Sequence, residues 1–229
     1  MAKIKICGLF RECDIDYVNE AKPDHIGFIL NFPKSHRNIT PEFAKHLKER
    51  LNPGIKAVGV FVNQEIDQVV HAASLIGLDV IQLHGAEDDE YIEELRKRIS
   101  LYEQDKGDSL NSTNDQKSGV ERKSQIEIWK AFKIQSHEDL KKAENSAADE
   151  ILLDNGYGTG KVFDWSIAAG FERDFFLAGG LNPDNIKEAI RTLKPKLVDI
   201  SSGVETERLK DREKIIAAVR AVREASEGN

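Results

Sequence analysis

Short runs of apolar and β-branched residues recur along the chain, and amphipathic segments separate them. This alternation is typical of βαβ units that build a parallel sheet. Successive runs begin 22 to 30 residues apart, except for one interval of 49 residues. The eight runs begin at Ile4, Ile26, Lys56, Asp79, Ile128, Ile151, Phe175 and Leu197.

The long interval contains a polar segment, residues 102–125, with Tyr102, Leu110 and Val120 as its apolar residues. So few apolar side chains cannot form a buried element, and we interpret the segment as a solvated insertion. Without it, the chain is a series of eight near-equal β-then-α units. We therefore expect residues 1–229 to form one domain.

Eight such units in a chain of this length predict an α/β fold, a single (β/α)8 TIM barrel. An open doubly wound sheet is the alternative, but the regular spacing shows no break where such a sheet would reverse its strand order. Capping residues and acidic first turns predict helices that start at 40–41 and 182–183, and others over 64–75, 88–99 and 211–225. The insertion follows a helix and precedes a strand, which places it at the end of the barrel remote from an active site.

Composition narrows the classes of partner. The 229 residues include 33 basic and 40 acidic side chains, for a formal net charge of -7, which argues against nucleic acid or an anionic membrane as a partner. No apolar run is long enough to span a bilayer, and the first residues lack the apolar core of a signal peptide. The two cysteines, Cys7 and Cys13, suit neither a disulfide scaffold nor a metal site, so we expect a cytoplasmic protein without a metal. The pattern assigns no oligomeric state.

Polar residues follow the carboxyl ends of the predicted strands, where the active site of a TIM barrel is built. We expect no comparable clustering at the opposite ends of the strands. The residues at the carboxyl ends are Cys7, Asn31, Arg37, Asn63, His84, Asp154, Gly179, Gly180, Ser201, Ser202 and Gly203.

The turns after the seventh and eighth runs are rich in small residues. Gly179 and Gly180 follow the seventh run, and residues 201–203 follow the eighth. Such glycines can serve only tight turns, but their pairing at these two strands favours a phosphate site, because small residues let backbone N–H groups approach an anion. Residues 156–161 look like a nucleotide-binding loop but match neither the P-loop nor the dinucleotide spacing, so we interpret them as a loop above the sixth strand.

Four of the remaining candidates each have a structural alternative. Cys7 could be a small buried apolar residue, and Asp154 could cap the following loop. Arg37 could be a solvated loop cation, and His84 a hydrogen-bonded histidine at the rim. Their shared position at one end of the barrel favours a functional role for each.

Several segments together closely resemble the phosphoribosylanthranilate isomerase family. They are KICGL (5–9), VGVFVN (58–63), IQLHG (81–85), LLDN and GTGKVFDW (within 152–165), LAGGLNP (177–183) and VDISSGVE (198–205). They span nearly the whole chain outside the insertion. KICG at the amino terminus, followed in order by AGGLNP and SSGVE, is highly specific to this family.

The resemblance implies an Amadori rearrangement of a small phosphosugar, without a cofactor. It implies that Asp154 is the general acid, that Cys7 is the general base and that Arg37 contacts the anthranilate carboxylate. It also implies that Gly179, Gly180 and the 201–203 turn bind phosphate, and that His84 and Asp199 line the site. We expect the pKa of Asp154 to be raised, and Cys7 to need help from a neighbouring group.

Two departures from the family pattern stand out besides the insertion. Tyr157 occupies a position where glycine is usual, and residues 207–209 replace a turn that usually contains proline and glycine. Two other functions stay open at this point. One is another phosphosugar-processing barrel enzyme, and the other is a non-catalytic sensor of a phosphorylated ligand.

Overall fold

The computed structural model describes residues 1–110, 126–154 and 171–227, with side chains through 103 in the first range and 226 in the last. Its strands are β1 (Lys3–Cys7), β2 (His25–Leu30), β3 (Asn38–Ile39), β4 (Lys56–Phe61), β5 (Val80–Leu83), β6 (Glu127–Lys133), β7 (Glu150–Asp154), β8 (Phe175–Leu177), β9 (Leu197–Ile200), β10 (Glu205–Thr206) and β11 (Leu209–Lys210). Its helices are α1 (Glu12–Ala21), α2 (Pro41–Glu49), α3 (Ile66–Ile76), α4 (Asp89–Leu110), α5 (His137–Glu144), α6 (Ile186–Leu193) and α7 (Arg212–Glu227).

Eight parallel strands form a closed barrel, as the sequence predicts. They follow the order β1-β9-β8-β7-β6-β5-β4-β2, and β2 pairs with β1 to close the ring. Each of the eight predicted apolar runs overlaps one of these strands. The open-sheet alternative is wrong, because each of the eight strands has a paired strand on both sides, whereas an open sheet has two edge strands.

Alternation along each strand divides the apolar residues between two regions. One set lies between the strands and the surrounding helices and includes Ile4, Ile6, Ile151 and Leu153. The other set fills the barrel interior and is composed of Val58, Val80, Trp129, Ala131, Leu152, Phe176, Ala178 and Leu197. Residues two positions beyond an interior residue share its face, so the interior residues identify which end-of-strand side chains point inward.

The predicted helix bounds agree with the structure for α2, whereas α6 starts later and α4 ends later than predicted. α2 starts as predicted, with the Thr40 hydroxyl accepting a hydrogen bond from the Phe43 amide. α6 starts at Ile186 rather than at residues 182–183, because Asn182 forms a turn whose side chain accepts from the Asp184 amide. α4 continues past the predicted end at residue 99 to Leu110, so the first residues of the predicted solvated insertion are helical. A helix whose first turns have already formed can continue through a segment with few apolar residues. Residues 111–125 lie outside the described part of the chain.

The opposite end of the barrel also carries a cluster of charged residues, contrary to the expectation from sequence. A cavity of about 600 Å³ there is lined by Lys3, His25, Lys56, Glu127, Glu150 and Lys196, among others. Lys56 pairs with Glu127 at 3.5 Å, and Lys196 pairs with Glu150 at 3.3 Å. These residues lie at strand starts inside apolar segments, so periodicity alone does not group them.

His25 should make the stability of the fold depend on pH. Burial, together with the charges of Lys56 and Lys3, lowers its pKa from 6.5 to about 4. The unfolded chain therefore binds a proton at higher pH than the folded one, and stability present above pH 6.5 is lost as pH falls toward 4. Within this window, each pH unit changes the free energy of unfolding by about 1.4 kcal/mol.

As pH falls from 6.5 to 4, we expect the free energy of unfolding, measured in urea, to decrease by about 3 kcal/mol more in the wild type than in His25→Gln. Equal losses in the two proteins would contradict the prediction.

The turn between β10 and β11 is strained. Glu207 and Arg208 form its two-residue loop, with φ of 50° and 66°. Both values lie in the left-handed region, which asparagine and glycine adopt at lower cost. These are the residues that replace the family's usual turn.

Substitution of both residues, Glu207→Asn with Arg208→Gly, should raise the free energy of unfolding by about 1 kcal/mol, and the melting temperature by about 2–4 °C. Arg208→Ala is the matched control, since it removes the side chain but keeps the strain. A similar gain from the control would show that strain is not the cause.

Within the described ranges, no helix is long and apolar enough to cross a membrane. The same ranges contain no group of three or more histidine, cysteine or carboxylate side chains placed to hold a metal ion.

Candidate active site

Cys7 ends β1 beside a buried ion pair. Lys5 is fully buried, and its Nζ lies 2.8 Å from Oδ2 of Asp199 on β9. Asp199 follows the interior residue Leu197 by two positions, so it points into the barrel. Lys5 therefore also points inward, and Cys7, two residues later, shares its face. Burial raises the pKa of the Cys7 thiol, and the charge of Lys5 offsets part of that rise.

Two glycines leave room for these side chains. A Cβ at Gly27 would lie 2.9 Å from Cys7 Sγ and 3.2 Å from Lys5 Nζ. Gly8 has φ of 77°, and a Cβ there would overlap Cδ of Arg37. Glycine at both positions lets the thiol, the ammonium and Arg37 lie close together.

Arg37 is held in a second ion-pair cluster next to Cys7. Its Nε and one Nη donate to the two carboxylate oxygens of Glu205, at 2.6 and 2.7 Å. Lys210 donates to Glu205 at 2.7 Å and to the Ser201 carbonyl at 2.9 Å, while the Ser201 hydroxyl donates to the Cys7 carbonyl at 3.1 Å. Burial alone would raise the pKa of Glu205, but Arg37 and Lys210 lower it overall. Burial lowers the pKa of Lys210.

Asp154 ends β7 and lies against His84. Nε2 of His84 is 3.2 Å from Oδ2 of Asp154, and the carboxylate side chain is 15% exposed. Asp154 follows the interior residue Leu152 by two positions, so it points toward the barrel axis, as Cys7 does. The structure thus brings His84 and Asp154 together, although 70 residues separate them in the sequence.

A buried carboxylate fixes the loop that carries His84. Glu87 accepts hydrogen bonds from the amides of Asn63 and Gly85, at 2.6 and 2.8 Å. Lys130 pairs with Glu87 at 3.0 Å and donates to the Gly85 carbonyl at 2.7 Å. These bonds leave the backbone after His84 little freedom to move.

The turns after β8 and β9 contact each other. Gly179 and Gly180 have φ of 88° and 67°, and residues 202–204 form a short 3-10 helix. A Cβ at Gly203 would overlap the Leu181 carbonyl, so only glycine fits between the two turns. The nucleotide-like segment 156–161 lies outside the described residues, as does Tyr157.

Three residues of this site, Lys5, Glu205 and Lys210, were not predicted from the sequence. Lys5 could have been found, because a lysine within a buried strand, two residues before a candidate base, shares its face. Glu205 and Lys210 lie on β10 and β11, which are too short for periodicity to reveal.

The fold and these side chains together define a (β/α)8-barrel enzyme whose thiol, imidazole and carboxylates lie at the carboxyl ends of the strands. A family model described as N-(5'phosphoribosyl)anthranilate (PRA) isomerase matches residues 4–120 and 111–221. The chain belongs to this family, the isomerases of tryptophan biosynthesis.

Full-length relatives carry the same name. The N-(5'-phosphoribosyl)anthranilate isomerase of Acetivibrio thermocellus is 42% identical, over 100% of this chain and 99% of its own length. That of Thermoanaerobacter sp. is 40% identical, over 97% and 98%. The crystal structure of the Thermotoga maritima enzyme superposes with a TM-score of 0.80 at 33% identity, covering 98% of this chain and 100% of its own. A phosphoribosyl anthranilate isomerase in complex with reduced 1-(o-carboxyphenylamino)-1-deoxyribulose 5-phosphate superposes with a TM-score of 0.78 at 31% identity, covering 98% and 100%.

Proposed function

We propose that this protein converts N-(5-phosphoribosyl)anthranilate into 1-(2-carboxyphenylamino)-1-deoxyribulose 5-phosphate, with Asp154 as general acid and Cys7 as general base. The observation that carries the proposal is that β1 and β7 end in these two side chains on the inner face of one barrel. The rearrangement needs proton transfers alone, so we propose no cofactor. A cytoplasmic location fits the two free cysteines.

Asp154 acts first, on the ring oxygen of the sugar. As the bond between C1 and the ring oxygen breaks, the anilinic nitrogen supplies its lone pair to C1 and forms an iminium ion. The carboxyl group of Asp154 gives its proton to the departing oxygen. His84, at 3.2 Å, orients this carboxyl group. Because the acid must carry a proton near neutral pH, a raised pKa of Asp154 in the substrate complex stays a prediction.

Cys7 acts second, on C2. Its thiolate takes the C2 proton, the C–H electron pair forms the C1=C2 bond, and the iminium nitrogen accepts the electrons of the C=N bond. The resulting enolamine becomes the ketose when a proton is added at C1 and the C2 hydroxyl loses its proton, so that C2 becomes a carbonyl. Cys7 lies at the rim of the barrel and is 8% exposed. This burial limits the access of water to the sulfur.

The remaining predicted residues bind the substrate. The turns containing Gly179, Gly180 and residues 201–203 hold the phosphate through backbone N–H groups. Arg37 pairs with the anthranilate carboxylate, as planar guanidinium groups favour carboxylates. Asp199 lines the site, where its Oδ2 lies 2.8 Å from the Lys5 ammonium.

Glu205 should contribute to this binding by fixing Arg37. Glu205→Gln removes the charge that holds the guanidinium, so we expect KM to rise about tenfold with a smaller change in kcat. Steady-state kinetics of Glu205→Gln, Arg37→Gln and the double variant provide the check. If the two residues work as a unit, the double variant resembles Arg37→Gln, whereas additive effects would contradict the prediction.

The fluorescence of phosphoribosylanthranilate tests the function directly. Purified protein should convert this substrate with multiple turnovers, so that its fluorescence is lost. The gene should restore growth of a tryptophan auxotroph that lacks this isomerase. Phosphate-ligand binding without turnover would instead support the sensor. Turnover of a different phosphosugar, with none of this one, would support the other barrel enzymes.

A further inference from the structure

Lys5 is a cation that the proposed chemistry does not yet use. Its side chain is fully inaccessible to solvent, which is rare for lysine. Its ion pair with Asp199 compensates part of the cost of burial, but an apolar pair of similar volume often stabilises a protein as well or better. Stability therefore does not explain why this strand carries a lysine at its centre.

Lys5 faces the sulfur of Cys7 as well as Asp199. The two side chains share the inner face of β1, and a Cβ at Gly27 would lie 2.9 Å from Cys7 Sγ and 3.2 Å from Lys5 Nζ, so the sulfur and the ammonium border the same point. Gly27 on the neighbouring strand β2 pairs with Cys7 and leaves space for both groups. The ammonium is thus held between a carboxylate on β9 and the thiol.

Burial favours the neutral form of Lys5, but the negative charges of Asp199 and Cys7 outweigh it and raise the pKa of the ammonium. The lysine accordingly keeps its proton in the neutral pH range. The other charged groups that act on the sulfur are Asp199, which disfavours the thiolate, and Lys210 on β11, which favours it. Lys5 is the largest of the favourable charges.

We propose that Lys5 is the positioning residue of the base: its ammonium, fixed by Asp199, holds the Cys7 sulfur and stabilises the thiolate that removes the substrate proton. This inference rests on the role of Cys7 proposed above. The thiol first loses its proton to solvent. The thiolate then forms an S–H bond with the C2 proton, while the C–H electron pair remains with the substrate. Lys5 keeps its own proton throughout.

The test is Lys5→Met in a Cys13→Ser background, so that Cys7 is the remaining thiol. The ultraviolet absorbance of the thiolate, followed against pH, should show the Cys7 midpoint raised by about 1–3 pH units. The limb of the kcat/KM profile that reports the base should move with it, and kcat/KM near neutral pH should fall at least about tenfold. Lys3→Met is the matched control, because Lys3 lies on the same strand and face at the opposite end of the barrel, and both readouts should stay unchanged.

A folded Lys5→Met protein with an unchanged thiolate midpoint would overturn the inference. If this variant does not fold, nitrogen NMR of the lysine side chains in the Cys13→Ser protein gives the answer. The Lys5 ammonium signal must then shift at the Cys7 midpoint, and a signal that does not respond overturns the inference equally. Full activity of Cys7→Ala would instead remove the proposed base, a separate failure that the thiolate titration does not depend on.

Discussion

Asp154→Asn is expected to lower kcat by about 10²–10⁴-fold, because the amide cannot give a proton to the ring oxygen. The substitution keeps the shape of the side chain at the end of β7 and its position against His84. Substrate binding should change little, since the lost contribution arises in the transition state. The measurement is the rate of loss of substrate fluorescence at saturating substrate.

Glu150→Gln is the matched control for this loss. Glu150 lies on the same strand, four residues before Asp154, and its side chain pairs with Lys196 at the far end of the barrel. It removes the same charge and should keep wild-type turnover. A turnover of Asp154→Asn close to that of this control would remove the carboxyl group from the mechanism.

Cys7→Ala should cause a loss of similar size, about 10²–10⁴-fold in kcat, because no group is left to take the C2 proton. Cys7 is buried, and its replacement by alanine removes the sulfur and leaves a small space without strain. The melting temperature should therefore change by only a few degrees, which separates a chemical loss from unfolding. The same fluorescence assay measures it.

Cys13→Ala serves as the control for the thiol. Cys13 lies on α1, outside the barrel, and is also unpaired. Its replacement should leave kcat unchanged. Near-normal turnover by Cys7→Ala would contradict the assignment of the base, whereas loss in both variants would indicate a general effect of the substitution.

The alternation of apolar runs was enough to predict the barrel. Each run is long enough to be recognised as a strand from its apolar and β-branched residues. The nearly equal spacing leaves room for one helix between consecutive strands. The short strands β3, β10 and β11 were missed, because two residues carry no periodic pattern. The length of α4 was underestimated, since a helix that has formed its first turns can continue without an apolar stripe.

The candidate residues were found by a different route, from their place after each apolar run. That rule collected Cys7, Arg37, His84 and Asp154, because parallel strands bring their carboxyl ends to one edge. It could not find Glu205, which holds Arg37 from 168 residues away. Nor could it show the polar cluster at the opposite end, whose members begin strands and resemble ordinary surface charges.

The sequence by itself determined which residues form the eight barrel strands, which polar residues follow their carboxyl ends and which family the chain resembles, because these depend on local order and spacing. The tertiary structure alone decided which polar groups are partners. Lys5 and Asp199 are 194 residues apart and meet only when β9 pairs with β1. The energy of a buried charge depends on what lies within a few ångströms of it, and that neighbourhood is created by closure of the barrel.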